Sequence, residues 1–187
     1  MPTRDGAHDL LCEFTESANL RKHAYAVEAA MRLYAAKLGG DPDEWGVVGL
    51  VHDFDYERYP QAPDHPTKGA EILRERGYPE EWIQAILGHA DYTGVARESD
   101  MAKALFAVDE LTGLITAVAL VRPSKSIMDV KVKSVRKKIK DKAFAAAVSR
   151  EDITNGAEEL GIELAEHIAN VIEAMQSVAA ELGLAGE

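Results

Sequence analysis

Apolar residues in this chain recur at intervals of three and four, and period-two alternation of Val, Ile and Thr is missing. Side chains three or four apart share one face of an α-helix, whereas alternate side chains share one face of a strand. The pattern therefore prescribes an all-α fold. The punctuation agrees. A short first helix is expected over residues 7–17. Asn19 reads as the cap of a second helix running to about Leu38, with Leu20, His23, Ala24, Val27, Ala30, Met31 and Tyr34 along one side and Gly39-Gly40 as its stop. Asp41-Pro42-Asp43-Glu44 opens a short apolar helix over 45–51 that ends near His52-Asp53. Residues 55–64, with Pro60 and Pro63, read as a loop. Helices follow from Pro66 to about Arg76, from Pro79 to about Ala90, and from a cap at Ser99 or Asp100 through Asp109 to about Val121. A basic helix is expected over 126–140, a capped helix from Ser149 to about Leu160, and a last helix over 162–182 with residues 183–187 frayed.

A chain of 187 residues with 47% apolar content supports one domain with a substantial core. No repeat or linker divides it. It has no apolar run long enough to span a bilayer, and its first residues lack a secretory apolar stretch, so the expectation is a cytoplasmic protein with no membrane partner. Cys12 is the sole cysteine and reads as a small core residue. The net charge of −11 argues against a nucleic-acid polymer as partner. The charge is unevenly spread. Residues 122–142 hold nine basic and two acidic side chains, a local +7, which leaves −18 on the rest.

The chemistry lies in the order of the histidines. His23 comes first, then the adjacent His52-Asp53, then His65, His89 and Asp109. Imidazole and carboxylate together suit Fe, Mn, Ni, Co or Zn, and a set without cysteine argues against a structural zinc site. His23 and Asp109 both fall on apolar helix faces, where an unpaired polar group costs about 2–7 kcal/mol and metal ligation would satisfy it. Each residue alone has a plainer reading: a hydrogen-bonded core histidine, a satisfied buried carboxylate, a chance His-Asp pair. His8 and His167 lack comparable neighbours, and His167 reads as a solvated residue on the polar side of the last helix.

Taken together, the order H…HD…H…H…D resembles the HD-domain superfamily of metal-dependent phosphohydrolases, in the branch that holds two metals. The resemblance covers about residues 15–120 and implies a single HD-type helical bundle extended by C-terminal helices over about 121–187. It implies that His23, His52, Asp53 and Asp109 hold a first ion, and that Asp53 bridges to a second held by His65 and His89. His52 and Asp53 carry the catalytic role, and the cofactor is one or two divalent transition-metal ions. Many relatives read His-Asp-Ile-Gly-Lys at the signature. Here it is His52-Asp53-Phe54-Asp55-Tyr56, and Lys68, one helical turn past His65, is the substitute for the missing lysine. The stretch from His65 through Gly69 to Leu73 also looks like the family's, where a small residue lets helices approach. Gly77-Tyr78-Pro79 lies in the wrong place for the signature of the cyclic-di-GMP-cleaving branch.

The implied activity is hydrolysis of a small phosphorylated anion, with nucleotide-like substrates among the candidates. A few relatives with the same ligands are instead mixed-valent diiron oxygenases, and a degenerate binding domain is the non-enzymatic reading. Arg122, Ser124 and Lys125, with Lys133 and Lys137 behind them, read as a phosphate clamp at the end of the Asp109 helix. The same run also reads as a solvated face, or as a contact with an acidic neighbour in a homo-oligomer. Phe54, Tyr56, Tyr59 and Tyr92 have the chemistry to stack a base, or to pack a loop.

Overall fold

The computed structural model describes residues 1–186. Within them the chain forms ten α-helices and no strand. They are α1 (Arg4–Phe14), α2 (Ala18–Leu38), α3 (Pro42–Val51), α4 (Asp64–Glu75), α5 (Glu80–Gly88), α6 (Asp100–Leu120), α7 (Val132–Lys140), α8 (Arg150–Glu159), α9 (Leu164–Ser177) and α10 (Ala179–Leu182). No helix among them is long and apolar enough to cross a membrane.

Two long helices organise the rest. The Ser17 hydroxyl, not Asn19, caps α2 by accepting the Leu20 N–H, and Gly39 closes the helix in the left-handed region at φ 78°. Ser99 caps α6 by accepting the Ala102 N–H. Buried residues lie all around α6, from Met101 to Ala119, because α2, α5, α8 and α9 surround it. Helix α3 starts as its sequence prescribes: Asp41 accepts the N–H groups of Asp43 and Glu44, with Pro42 in the first turn. It packs broadly on α2. Gly49 makes that approach possible, since a Cβ there would lie 3.0 Å from the Val27 carbonyl oxygen. On the far side, the Thr15 hydroxyl donates to the Phe54 carbonyl (3.0 Å) and ties the turn after α3 to the end of α1.

The C-terminal third departs from expectation in three places. The basic stretch is a 3-10 turn at Ile127–Asp129 followed by α7, which buries only Val135 of its nine residues. The last helix breaks at Val178 (φ −119°, ψ 21°) into α9 and α10. The tail is not frayed as far as residue 186. Leu184 is buried, its carbonyl accepts the Ile127 N–H (2.8 Å), and Ala185 pairs with Ser126. The expectation for Glu187 falls outside the described residues.

His167 is also not solvated. It is fully buried where α9 crosses α2 and α6. Its Nε2–H donates to the Ala107 carbonyl (2.8 Å), and its Nδ1 accepts from the Tyr34 hydroxyl (2.5 Å), which also receives the Asn170 amide. The face of α9 that looks polar is polar because it carries this buried network. Burial pushes the His167 pKa down to about 4, against about 6.5 in an unfolded chain. The unfolded chain therefore takes up this proton first as pH falls. Its contribution to stability is intact above about pH 6.5 and is lost progressively toward pH 4, by about 3 kcal/mol. Denaturant unfolding of the protein and of His167→Gln at pH 7 and pH 4 should show the parent losing that much more than the variant.

Candidate metal centre

Five helices and one turn bring all six expected ligand residues to one place. His23 comes from α2 and Asp109 from the middle of α6. His52 is the C-terminal cap of α3, and Asp53 begins the turn that follows. His89 is the C-terminal cap of α5. His65, at the start of α4, is extended (φ −81°, ψ 136°), as suits a residue preceding a proline. Two ligands thus sit at helix C-termini, whose free carbonyls favour positive charge.

The nitrogen and oxygen atoms fall into two groups, each with all members within 4.8 Å of one another: His23, His52, Asp53 and Asp109 in one, and Asp53, His65 and His89 in the other. Asp53 divides its carboxylate between them. Its Oδ2 lies 3.5 Å from His52 Nε2 and 3.9 Å from His23 Nε2. Its Oδ1 lies 3.2 Å from both His65 Nε2 and His89 Nε2. Asp109 Oδ1 lies 3.0 Å from His23 Nε2 and 3.5 Å from His52 Nε2. Two ligands each about 2.1 Å from one ion would stand about 3.0–3.4 Å apart; the 3.0 and 3.2 Å separations fall in that range, and the 3.5 and 3.9 Å ones lie just beyond it. Two of the donors, His52 Nε2 and Asp53 Oδ1, are buried with no hydrogen-bond partner. Such orphans are costly unless an ion satisfies them. The residues fit a metal.

Three imidazoles are held by their outer nitrogens. His52 Nδ1–H donates to the Gly49 carbonyl (2.7 Å), His89 Nδ1–H to Ile86 (2.5 Å), and His65 Nδ1–H to the Asp55 carboxylate (2.8 Å). Each bond fixes the tautomer that leaves Nε2 free toward the centre. Asp55 is fully buried, and its second oxygen accepts the Gly69 N–H (2.9 Å). Gly69 is required for this, because a Cβ there would stand 2.7 Å from the Asp55 carboxyl carbon. The Tyr92 hydroxyl donates to the His65 carbonyl (2.6 Å).

The carboxylates and imidazoles of the cluster shift one another's proton affinities in opposite directions. Burial disfavours the charged forms of both Asp53 and Asp109, yet the imidazoles outweigh it and hold both carboxyls below the usual carboxylate range. Burial likewise opposes protonation of His65, but Asp53 and Asp55 push its pKa up to about 10. Burial opposes protonation of His52 and His89 too, but Asp53 and Asp109 raise both. Ion binding displaces these protons and so strengthens with rising pH.

The cluster floors a cavity of about 420 Å³ whose wall includes Tyr56, Tyr92, Phe106, Asp91, Glu110 and Asp152. Glu110 accepts the Ser149 N–H (2.9 Å); burial, and then Asp109 beside it, push its pKa up to about 7. A neighbouring cavity of about 330 Å³ shares His23 and Gly113 and is lined by Lys22, Leu120, Leu182 and Leu184.

The expected phosphate contacts are not brought to this cavity. Lys68 is exposed on α4 and pairs with Glu71 (2.9 Å). Arg122 lies thirteen residues beyond Asp109, which along a helix is about 20 Å. The Ser124 hydroxyl donates to Asp129 (2.6 Å), and Lys125 belongs to the same turn against the C-terminal tail. Of the four aromatic candidates, Tyr56 and Tyr92 line the cavity, Phe54 is core, and Tyr59 lies outside. Sequence reasoning missed Asp55, Glu110 and Asp152. Asp55 had a usable signal, a second carboxylate two residues after the His-Asp pair.

Asp55→Asn can offer only one acceptor oxygen to the two donors it now serves. It should weaken the ion at His65 and His89 by about 10- to 100-fold while sparing the ion at His23 and Asp109. A metal titration followed by calorimetry resolves the two steps.

A family model described as HD domain matches residues 20–114. No curated protein and no solved structure matches the chain significantly. The matched stretch holds all six converging residues and spans just over half of the sequence, and the chain belongs to the HD domain family.

Proposed function

We propose that this protein is a metal-dependent phosphohydrolase acting on a small phosphate ester through a dinuclear centre. HD domains are commonly enzymes of this kind, and the observation that carries the reading is the division of the Asp53 carboxylate between two imidazole groups. His23, His52, Asp53 and Asp109 would hold one ion, and Asp53, His65 and His89 the other. Divalent ions there supply Lewis acidity toward phosphoryl oxygens and toward water. The chain's part is preorganisation. Asp55, Gly49 and Ile86 fix the imidazoles before substrate arrives, so little reorganisation is needed as charge develops. Tyr92 holds the His65 backbone, and the Tyr56 ring stands edge-on to the His65 ring at 5.2 Å, closing that side of the site. The overall reaction breaks the ester P–O bond, forms a new P–O bond from water, and releases an alcohol and inorganic phosphate.

One observation favours a second reading. No lysine or arginine lines the cavity, so phosphate would be gripped by the ions alone. The same ligands suit a diiron oxygenase, in which oxygen rather than phosphate meets the metals. Protein loaded with Mn(II) or Fe(II) should release inorganic phosphate from a panel of phosphate monoesters at neutral pH, and Asp53→Asn should lower that rate by at least about 1,000-fold, the scale of losing a charge-stabilising group. Full turnover by Asp53→Asn would remove the assignment. Oxygen uptake by the iron-loaded protein with no phosphate release would select the oxygenase.

A further inference from the structure

The cavity above the ligand cluster has a charge pattern unsuited to a polyanion. Asp91, Glu110 and Asp152 stand in its wall, and no lysine or arginine does. Asp91 is matched by Arg97, whose Nη1 donates to it (2.6 Å), while the rest of that guanidinium is spent on Glu159 and the Gly88 carbonyl. Among the described residues, Glu110 and Asp152 pair with no lysine or arginine. The Glu110 contact is the Ser149 backbone N–H, and Ser149 is also the cap of α8, which carries Asp152 one turn on. Both side chains line the cavity near the junction of α6 and α8 and are half-buried. The floor of this volume is the ligand cluster itself, with His23, Asp53, His65, His89 and Asp109 all lining it, so a substrate bound to ions held there would extend toward Glu110 and Asp152.

These carboxylates do not form another metal site. Among the described residues, close groups of three or more ligating side chains are confined to the two that share Asp53. Charge balance gives the same direction. Two divalent ions held there would carry about +4 against the carboxylates of Asp53 and Asp109, and a phosphate dianion of about −2 would complete neutrality at the floor. Glu110 and Asp152 are then left facing the remainder of the substrate. A further phosphate there would meet like charge, whereas a cation would be drawn in.

We infer that the substrate is zwitterionic: a phosphate monoester whose alcohol portion carries an ammonium group seated between Glu110 and Asp152. The inference rests on the hydrolase reading for the phosphate end, but its recognition element is separate from the metal ligands. Asp152 lies beyond the matched stretch of residues 20–114, so the C-terminal extension supplies the selectivity. Tyr92, exposed at the rim, presents a further surface that tolerates a cation.

Binding tests this without requiring turnover. Calorimetry on the metal-loaded protein would compare 3-aminopropylphosphonate with propylphosphonate, which differ only in the ammonium group. The amine should bind at least about tenfold tighter. In Asp152→Asn, and separately in Glu110→Gln, that preference should fall below about threefold with propylphosphonate affinity unchanged. Equal affinities, or a preference that survives both substitutions, would overturn the inference. Binding of neither compound would remove the phosphate site and the inference together. Selective binding of the amine, with no phosphate released from the corresponding aminopropyl phosphate, would uphold the recognition and overturn hydrolysis alone.

Discussion

One carboxylate placed between two sets of imidazoles makes demands on the whole molecule. Asp53 turns one oxygen toward His23 and His52 and the other toward His65 and His89. Four histidine rings crowd around it, with neighbouring centroids 5.2–5.4 Å apart. Such a cluster, taken out of water, is stable only if its charge is balanced and each ring is held. The surrounding architecture meets those needs. Helices α2 and α6 run past the cluster as rigid rods bearing one ligand each. Helices α3 and α5 end at it, so that capping histidines donate back to their own last-turn carbonyls. The turn after α3 is anchored by Thr15 from one side and by Asp55 with Gly69 from the other.

The C-terminal extension serves the same centre indirectly. Helix α9 buries His167 between α2 and α6, the two rods that carry His23 and Asp109. Helix α8 places Asp152 in the cavity wall, and its cap Ser149 donates its backbone N–H to Glu110. The basic run has a separate place. It lies on α7 and the turn before it, packed on α9 and tied to the tail, with Lys138 paired to Asp141 and lying over the Phe144 ring. None of its residues lines the cavity.

What was legible in the sequence followed from local rules. Helical spacing and caps place nearly every helix, because both act within one or two turns; the cap of α2 is Ser17, two positions before the expected Asn19. The six ligands were legible as an ordered set. What escaped depended on distance in space. Arg122 follows Asp109 closely in sequence, but a straight helix carries it about 20 Å away. His167 sits among polar residues on its helix, and only the packing of α9 on α6 shows that face to be inside. Asp55 read as a departure from the familiar signature, although its two acceptor oxygens are what hold His65 and Gly69. Asp152 falls in the first turn of a capped helix, and nothing local connects it to Glu110.

The central claim is that Asp53 joins two ion sites within one HD domain. Elemental analysis of protein purified without oxygen, alongside His65→Ala and His23→Ala, tests it most directly. The account predicts about two ions per chain in the parent and about one in each variant, with each variant emptying a different site. A parent that binds one ion, retained in His65→Ala and lost in His23→Ala, would contradict it.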